Sequence, residues 1–133
     1  MFENVNWLAA VASVLAATVV GTLWYGPLFG KARMAEIGRT PEQLKAGQVP
    51  AMAAALVANF IAGAVLSTVI AALSVTTLGG SMAVGLVVWI AFVGGQQFMQ
   101  DQFHARSIKL SLINAGNTLA SVLAMSAAIH FIG

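Results

Sequence analysis

Charge interrupts this apolar chain at only a few places. No charged side chain lies between Asn4 and Gly30, six lie from Lys31 to Lys45, and none lies between Ala46 and Gln100. Asp101, Arg106 and Lys109 then fall close together, and the remainder is uncharged. The first uncharged run, about residues 5–24, is roughly 20 residues long, which as a helix rises about 30 Å, one bilayer core. The second run is too long for one crossing. Thr76-Thr77-Leu78-Gly79-Gly80-Ser81 divides it, because paired glycines among hydroxyl residues predict a turn. The spans then fall near 5–24, 51–75, 82–98 and 110–132. Barrel strands would alternate polar and apolar positions, whereas these runs are continuously apolar and rich in the helix formers Ala and Leu. The pattern predicts an all-α, polytopic integral membrane protein: a four-transmembrane-helix bundle forming one domain over residues 1–133.

The connection at about 26–50 carries its own helix signal. Thr40-Pro41-Glu42-Gln43 places a capping residue, a proline at the first helical position, an acid in the first turn and a glutamine at the box position. A short amphipathic helix is predicted near Pro41–Ala46, ended by Gly47, with Pro50 opening the second span. Such a helix is a solvated surface element beside lipid headgroups or a docking site for a cytoplasmic partner.

Composition agrees. The chain has 133 residues, 59% hydrophobic and 8% charged, against about 25% charged in a soluble domain, and its mean hydropathy is +0.89. Six Lys and Arg in two short segments do not form the dense basic patch of a nucleic-acid binder. Cys is absent, which excludes disulfides and thiolate metal sites. No basic residue precedes the first apolar run, unlike a cleavable signal, so residue 1 is expected in the mature protein. Lys31, Arg33, Arg39, Lys45, Arg106 and Lys109 all fall on the side of the first and third connections. By the positive-inside rule, those connections are cytoplasmic and both termini lie outside, in a multi-pass protein of the cell (inner or plasma) membrane.

Small residues recur every four positions: Ala9, Ser13, Ala17 and Gly21; Ala55, Asn59, Gly63, Ser67 and Ala71; Gly116, Ala120, Ala124 and Ala128. Such rows permit close helix–helix packing in lipid, either within one chain or through self-association of copies.

Polar side chains within the spans are costly unless paired. Helical geometry puts Gln96, Gln97, Gln100 and His104 on one face of the third span, with Trp89 above them. It puts Ser107, Ser111, Asn114, Asn117, Thr118 and Ser121 on one face of the fourth, opposite Leu112, Leu119 and Leu123. Asn59 lies near the middle of the second. The topology gathers Asn59, Gln96, Gln97, Gln100, Asp101, Asn114, Asn117 and Thr118 toward the cytoplasmic half. Two readings stand: an interhelical amide network that holds helices together, or a polar pocket for a solute, ion or lipid headgroup. Asp101 and His104 share a face, but two ligands do not make a metal site; no metal or cofactor is expected. His130 reads as an interfacial anchor on the lipid-facing side. Thr18 and Thr22 are expected to bond back to their own helix. Nothing has the spacing of a nucleophile elbow, a metalloprotease helix or a phosphate loop, so no enzyme is expected.

The most distinctive stretch is Leu23-Trp24-Tyr25-Gly26-Pro27-Leu28-Phe29-Gly30-Lys31. Trp24 and Tyr25 suit the aromatic belt. Pro27 lacks an amide donor and biases Gly26 away from helix, so the span should stop or kink there. Phe29 stays in the interface, and Lys31 and Arg33 reach anionic headgroups. This segment resembles the signature of the small membrane proteins grouped as domain of unknown function 1761, in which an aromatic-rich segment closes the first helix. Arg106–Gly116 resembles the start of that family's last helix, and Thr40–Leu44 fits its loop. The chain departs from the pattern at Ala32-Arg33-Met34, where an aromatic often follows the lysine, and at Asn117-Thr118, where relatives often carry Tyr-His. The resemblance implies a membrane location and about four spans, but no activity. It also leaves open that the Gly-Pro break forms the rim of a cytoplasm-facing pocket. The expected function is a structural or accessory membrane protein that packs as a homo-oligomer or with a membrane partner. The alternative is a small channel, transporter or lipid- or solute-binding protein using the amide-lined pocket. A proton-coupled exporter would carry a carboxylate deep in the membrane, and none lies deeper than Asp101.

Overall fold

The computed structural model describes residues 5–38 and 47–132. The helix predicted at Pro41–Ala46 lies outside them. The helices are α1 (Trp7–Leu23), α2 (Gly30–Ile37), α3 (Gln48–Ala72), α4 (Leu78–Val88), α5 (Gly95–Phe103) and α6 (Ile108–Ile132). Wider π turns join α1 onward at Trp24–Leu28 and α4 to α5 at Trp89–Gly94. Four stretches are long and apolar enough to cross a membrane: Trp7–Leu28, Gln48–Ala72, Leu78–Phe103 and Ile108–Ile132. The protein is a multi-pass membrane protein, and its exposed Leu15, Val19, Leu56, Val57, Ile61, Val87, Ile90 and Phe92 are the apolar surface that lipid covers.

Asn6 opens α1, its Oδ1 accepting from the Ala9 amide at 3.0 Å. The stop or kink expected at Pro27 is a widened turn that carries the helix on to Leu28. The Phe29 amide reaches back five residues to the Trp24 carbonyl at 2.8 Å. This widened turn takes Pro27 into the helix without requiring its absent N–H. The break comes at Phe29 (φ −126°, ψ 10°). An additional helix, α2, follows within the stretch expected to be loop. Gly38, at φ 71°, closes it with the left-handed cap that glycine adopts without penalty.

Pro50 sits in the first turn of α3, where its amide would be unpaired anyway. That helix ends at Ala72, and the connection is residues 73–77, with Ser74 left-handed at φ 56°. Gly79 and Gly80, expected in the turn, instead belong to the first turn of α4. Thr77 is the reason: its Oγ1 accepts from the Gly80 amide at 3.0 Å and caps the helix. The third span extends past the expected residue 98 to Phe103. The Arg106 amide then bonds the Asp101 carbonyl at 2.9 Å, with Ala105 left-handed at φ 54°. Ser107 caps α6 by accepting from the Leu110 amide at 3.1 Å.

α1 is the central helix, packed on both α3 and α6, while α4 packs on α6. The core gathers Ala9 and Ala17 with Leu66, Ile70, Met125 and Ile129. Gly63 faces Ala10 and Ser13 so closely that a Cβ there would lie 2.5 Å from Ser13 Cβ. Gly85 meets Ser126 in the same way. At these positions the small-residue rows therefore make contacts within the chain: Ala9, Ser13, Ala17, Gly63 and Ser67 are buried between its own helices. The buried hydroxyls of Ser13 and Ser126 bond back to the carbonyls of Ala9 and Val122, which lets them stand in for alanine in a close contact. Thr18, on the exposed side, bonds the Val14 carbonyl at 2.7 Å.

Candidate functional site

The widened turn at Trp24–Leu28 sets the geometry of the site. Trp24 and Tyr25, at its start, meet the first half of α6, and both are half-buried. Trp24 Nε1 donates to the Ile113 carbonyl at 2.9 Å. Its indole lies over Gly116, where a Cβ would be 2.6 Å from Trp24 Cζ2. Phe29 leans on the same indole, with centroids 4.6 Å apart. Tyr25 donates its phenol proton to Asn114 Oδ1 at 2.7 Å, and the Arg33 guanidinium lies 4.6 Å above the Tyr25 ring, a cation–π contact. These two rings are thus tied to α6. Gly26, Pro27 and Lys31 are exposed.

The second π turn does the same from the third span. The Trp89 ring folds over Gly94, and Trp89 Nε1 donates to Thr118 Oγ1 at 2.9 Å. Thr118 donates to Gln97 Oε1 at 2.9 Å, with the Ala115 carbonyl at 3.0 Å as its alternative acceptor. Asp101 is 3% exposed. Its Oδ1 accepts from Arg106 Nη1 at 3.1 Å and its Oδ2 from Ser111 Oγ at 2.9 Å. Ser107 donates to Glu36 at 2.6 Å, joining α2 to the start of α6.

Of the eight candidate pocket residues, Gln97, Asp101, Asn114 and Thr118 enter these bonds directly. Asn117 is half-buried on the same face of α6, and its Oδ1 is enclosed with no hydrogen-bond partner. Gln96 and Gln100 are exposed. Asn59 is half-buried on α3, and among the described residues no hydrogen bond joins it to the others. His104, expected beside the glutamines, is exposed. Among the described residues no three His, Cys, Asp or Glu come together to hold a metal ion.

Sequence reading missed the main-chain acceptor at Ile113, because a helical carbonyl leaves no mark in residue type. It missed the pairings of Glu36 with Ser107 and Asp101 with Arg106, which join loop-borne groups to helix ends. It also placed His130 against lipid. The structure turns His130 toward a cavity at the other end of the bundle, beside Ser67 and Ser81.

Two results are expected here. Tyr25→Phe should lower stability by about 1 kcal/mol, the typical net value of one interhelical hydrogen bond. A cycle with Asn114→Leu in detergent melts should show that the two changes are coupled. Arg106→Ala leaves a buried carboxylate with Ser111 alone. The guanidinium is 50% exposed, so solvent softens the loss, and denaturant titration should read about 1–2 kcal/mol.

Four apolar crossings, three of them tied at one end by aromatic and amide side chains, define a small polytopic membrane protein. Its sequence pattern matches the family described as Protein of unknown function (DUF1761) over residues 8–130. The chain belongs to that family. No curated protein and no solved structure matches it.

Proposed function

We propose that this chain is a structural or accessory protein of the cell membrane, without enzymatic activity, that acts through contacts with a membrane partner or with further copies of itself. The observation that carries this reading is how the signature segment is used. Trp24 and Tyr25 hold the end of α1 to α6 through bonds spanning 89 positions, and Glu36 adds α2 to the same unit. The result is a braced end that displays Lys31 and Lys109. A braced, basic end suits docking more than transport. The basic residues also support an orientation with both termini outside and residues 31–45 and 106–109 cytoplasmic; a reporter fused after Gly133 should then read as external.

Native mass spectrometry of protein extracted directly into nanodiscs tests the docking reading. A defined homo-oligomer or a stoichiometric partner is expected. A lone copy carrying only lipid would overturn it.

A second reading, a small channel or transporter, is favoured by Asn117. Its enclosed, unpartnered Oδ1 beside the Tyr25–Asn114 bond is what a ligand-accepting amide looks like. Solute flux in proteoliposomes that Asn114→Leu abolishes while the protein stays folded would establish this alternative. A loss of stability alone would exclude it.

A further inference from the structure

At the end of the bundle away from the Tyr25 network lies a partly enclosed cavity of about 590 Å³, a volume within the range of small-molecule sites, about 300–1,000 Å³. All four spans and the 73–77 connection contribute to its wall. Its polar groups are Asn6, Ser67, Thr68, Thr76, Ser81 and His130. Ile70, Val75 and Ile129 add apolar surface.

The chemistry of this wall is specific. Among the described residues that line it there is no Asp, Glu, Lys or Arg; the Asp, Glu, Lys and Arg side chains of the described residues all lie in segments 31–36 and 101–109, at the opposite end. The helix ends give no net field either, because α1 and α4 begin here while α3 and α6 end here, and their dipoles oppose. An ion entering this cavity would lose its hydration with no carboxylate, ammonium or guanidinium among the described residues to replace it. The wall does offer both donors and acceptors. Ser67 and Thr68 give their protons to the Ala64 carbonyl, which leaves their oxygens as acceptors. Asn6 Oδ1 is occupied by the Ala9 amide, which leaves its NH₂ as a donor. Ser81 is 1% exposed, and its Oγ has no hydrogen-bond partner. A buried hydroxyl without a partner is destabilising, and alanine would fill the same space without that cost, so packing alone does not account for serine here.

We propose that this cavity binds an uncharged, hydroxyl-bearing ligand, either a free polyol or sugar or the headgroup of a neutral glycolipid. A hydroxyl both donates and accepts, as this wall requires, and the C–H face of a sugar suits Ile70, Val75 and Ile129. The inference concerns the end opposite the Tyr25 network and does not depend on the docking or channel readings.

Methyl-labelled isoleucine in nanodisc-embedded protein supplies the readout. Ile70 and Ile129 line the cavity, while Ile90 and Ile113 do not. Titration with D-glucose is expected to shift the Ile70 and Ile129 methyl signals saturably, leaving Ile90 and Ile113 in place. If monoglucosyldiacylglycerol in the nanodisc produces the shifts and free glucose does not, the ligand is a headgroup. No shift with either probe, or equal shifts with choline chloride or inorganic phosphate, overturns the proposal. Ser81→Ala should weaken binding about five- to tenfold, one hydrogen bond's worth, with an unchanged or raised melting temperature. A lowered melting temperature with unchanged binding would make Ser81 a packing residue and remove it from the site. Thr68→Val, which keeps the side chain's shape, should weaken binding as well; full affinity in both variants would overturn the assignment.

Discussion

Gly63→Leu is expected to leave little folded protein. Even a single added carbon at Gly63 would lie 2.5 Å from Ser13 Cβ and 3.3 Å from Ala10 Cα. The second of these is backbone and cannot rotate away. Overpacking a well-filled contact costs about 1–3 kcal/mol where side chains can yield. Here α1 and α3 must move apart, which also loosens Ala9, Ala17, Leu66 and Ile70, so about 3 kcal/mol or more is expected. Because the contact is within one chain, the loss should appear as unfolding of the monomer in a detergent melt, not as a change of oligomer size. Gly63→Ala should show a smaller loss in the same direction. A wild-type melting temperature for Gly63→Leu would mean that α1 and α3 do not pack as described.

Trp24→Ala should have the next largest effect, about 3 kcal/mol. Truncating a large aromatic typically costs about 3–5 kcal/mol when it is fully buried, and Trp24 is half-buried. Trp24→Phe keeps an aromatic ring but loses the Nε1 bond to Ile113 and the Cζ2–Cη2 edge that rests on Gly116, so it should cost about 1 kcal/mol or more, less than Trp24→Ala. Gly116 gives an internal check. Gly116→Ala alone should destabilise, since its Cβ would lie 2.6 Å from the indole. In the Trp24→Ala background that penalty should vanish. Additive losses in this cycle would show that the indole does not rest on Gly116.

The spans were readable because a bilayer imposes one length and one solvent on every crossing. Their ends were less so. Gly79-Gly80 looked like a turn, yet one hydroxyl three residues before Gly80, on Thr77, captures its amide and starts a helix. Pro27 pointed to a stop or a kink, but not to its form: a proline forbids only the bond it would have donated, and a turn one residue wider shifts the register of the remaining bonds. The α2 helix was hidden by its charges, which say where water is and little about backbone shape. The polar faces of the third and fourth spans were legible from 100° spacing. Which amide meets which hydroxyl was not, because the π turns that begin at Trp24 and Trp89 shift the register of the residues after them. The cavity at the far end needed all four helix ends in register at once, and no local pattern holds that information.

The bonds from Trp24 and Tyr25 reach partners 89 positions later, and this constrains the order of assembly. α1 is synthesised first, and its aromatic pair has no partner until the last span has been made. Membrane helices insert first and pack afterwards, so three inserted spans form an open intermediate, and non-local closure is the slow part of folding. Arrival of α6 is therefore the committing step. A chain halted before Ile108 would leave the Trp24 indole and the Tyr25 phenol without these partners.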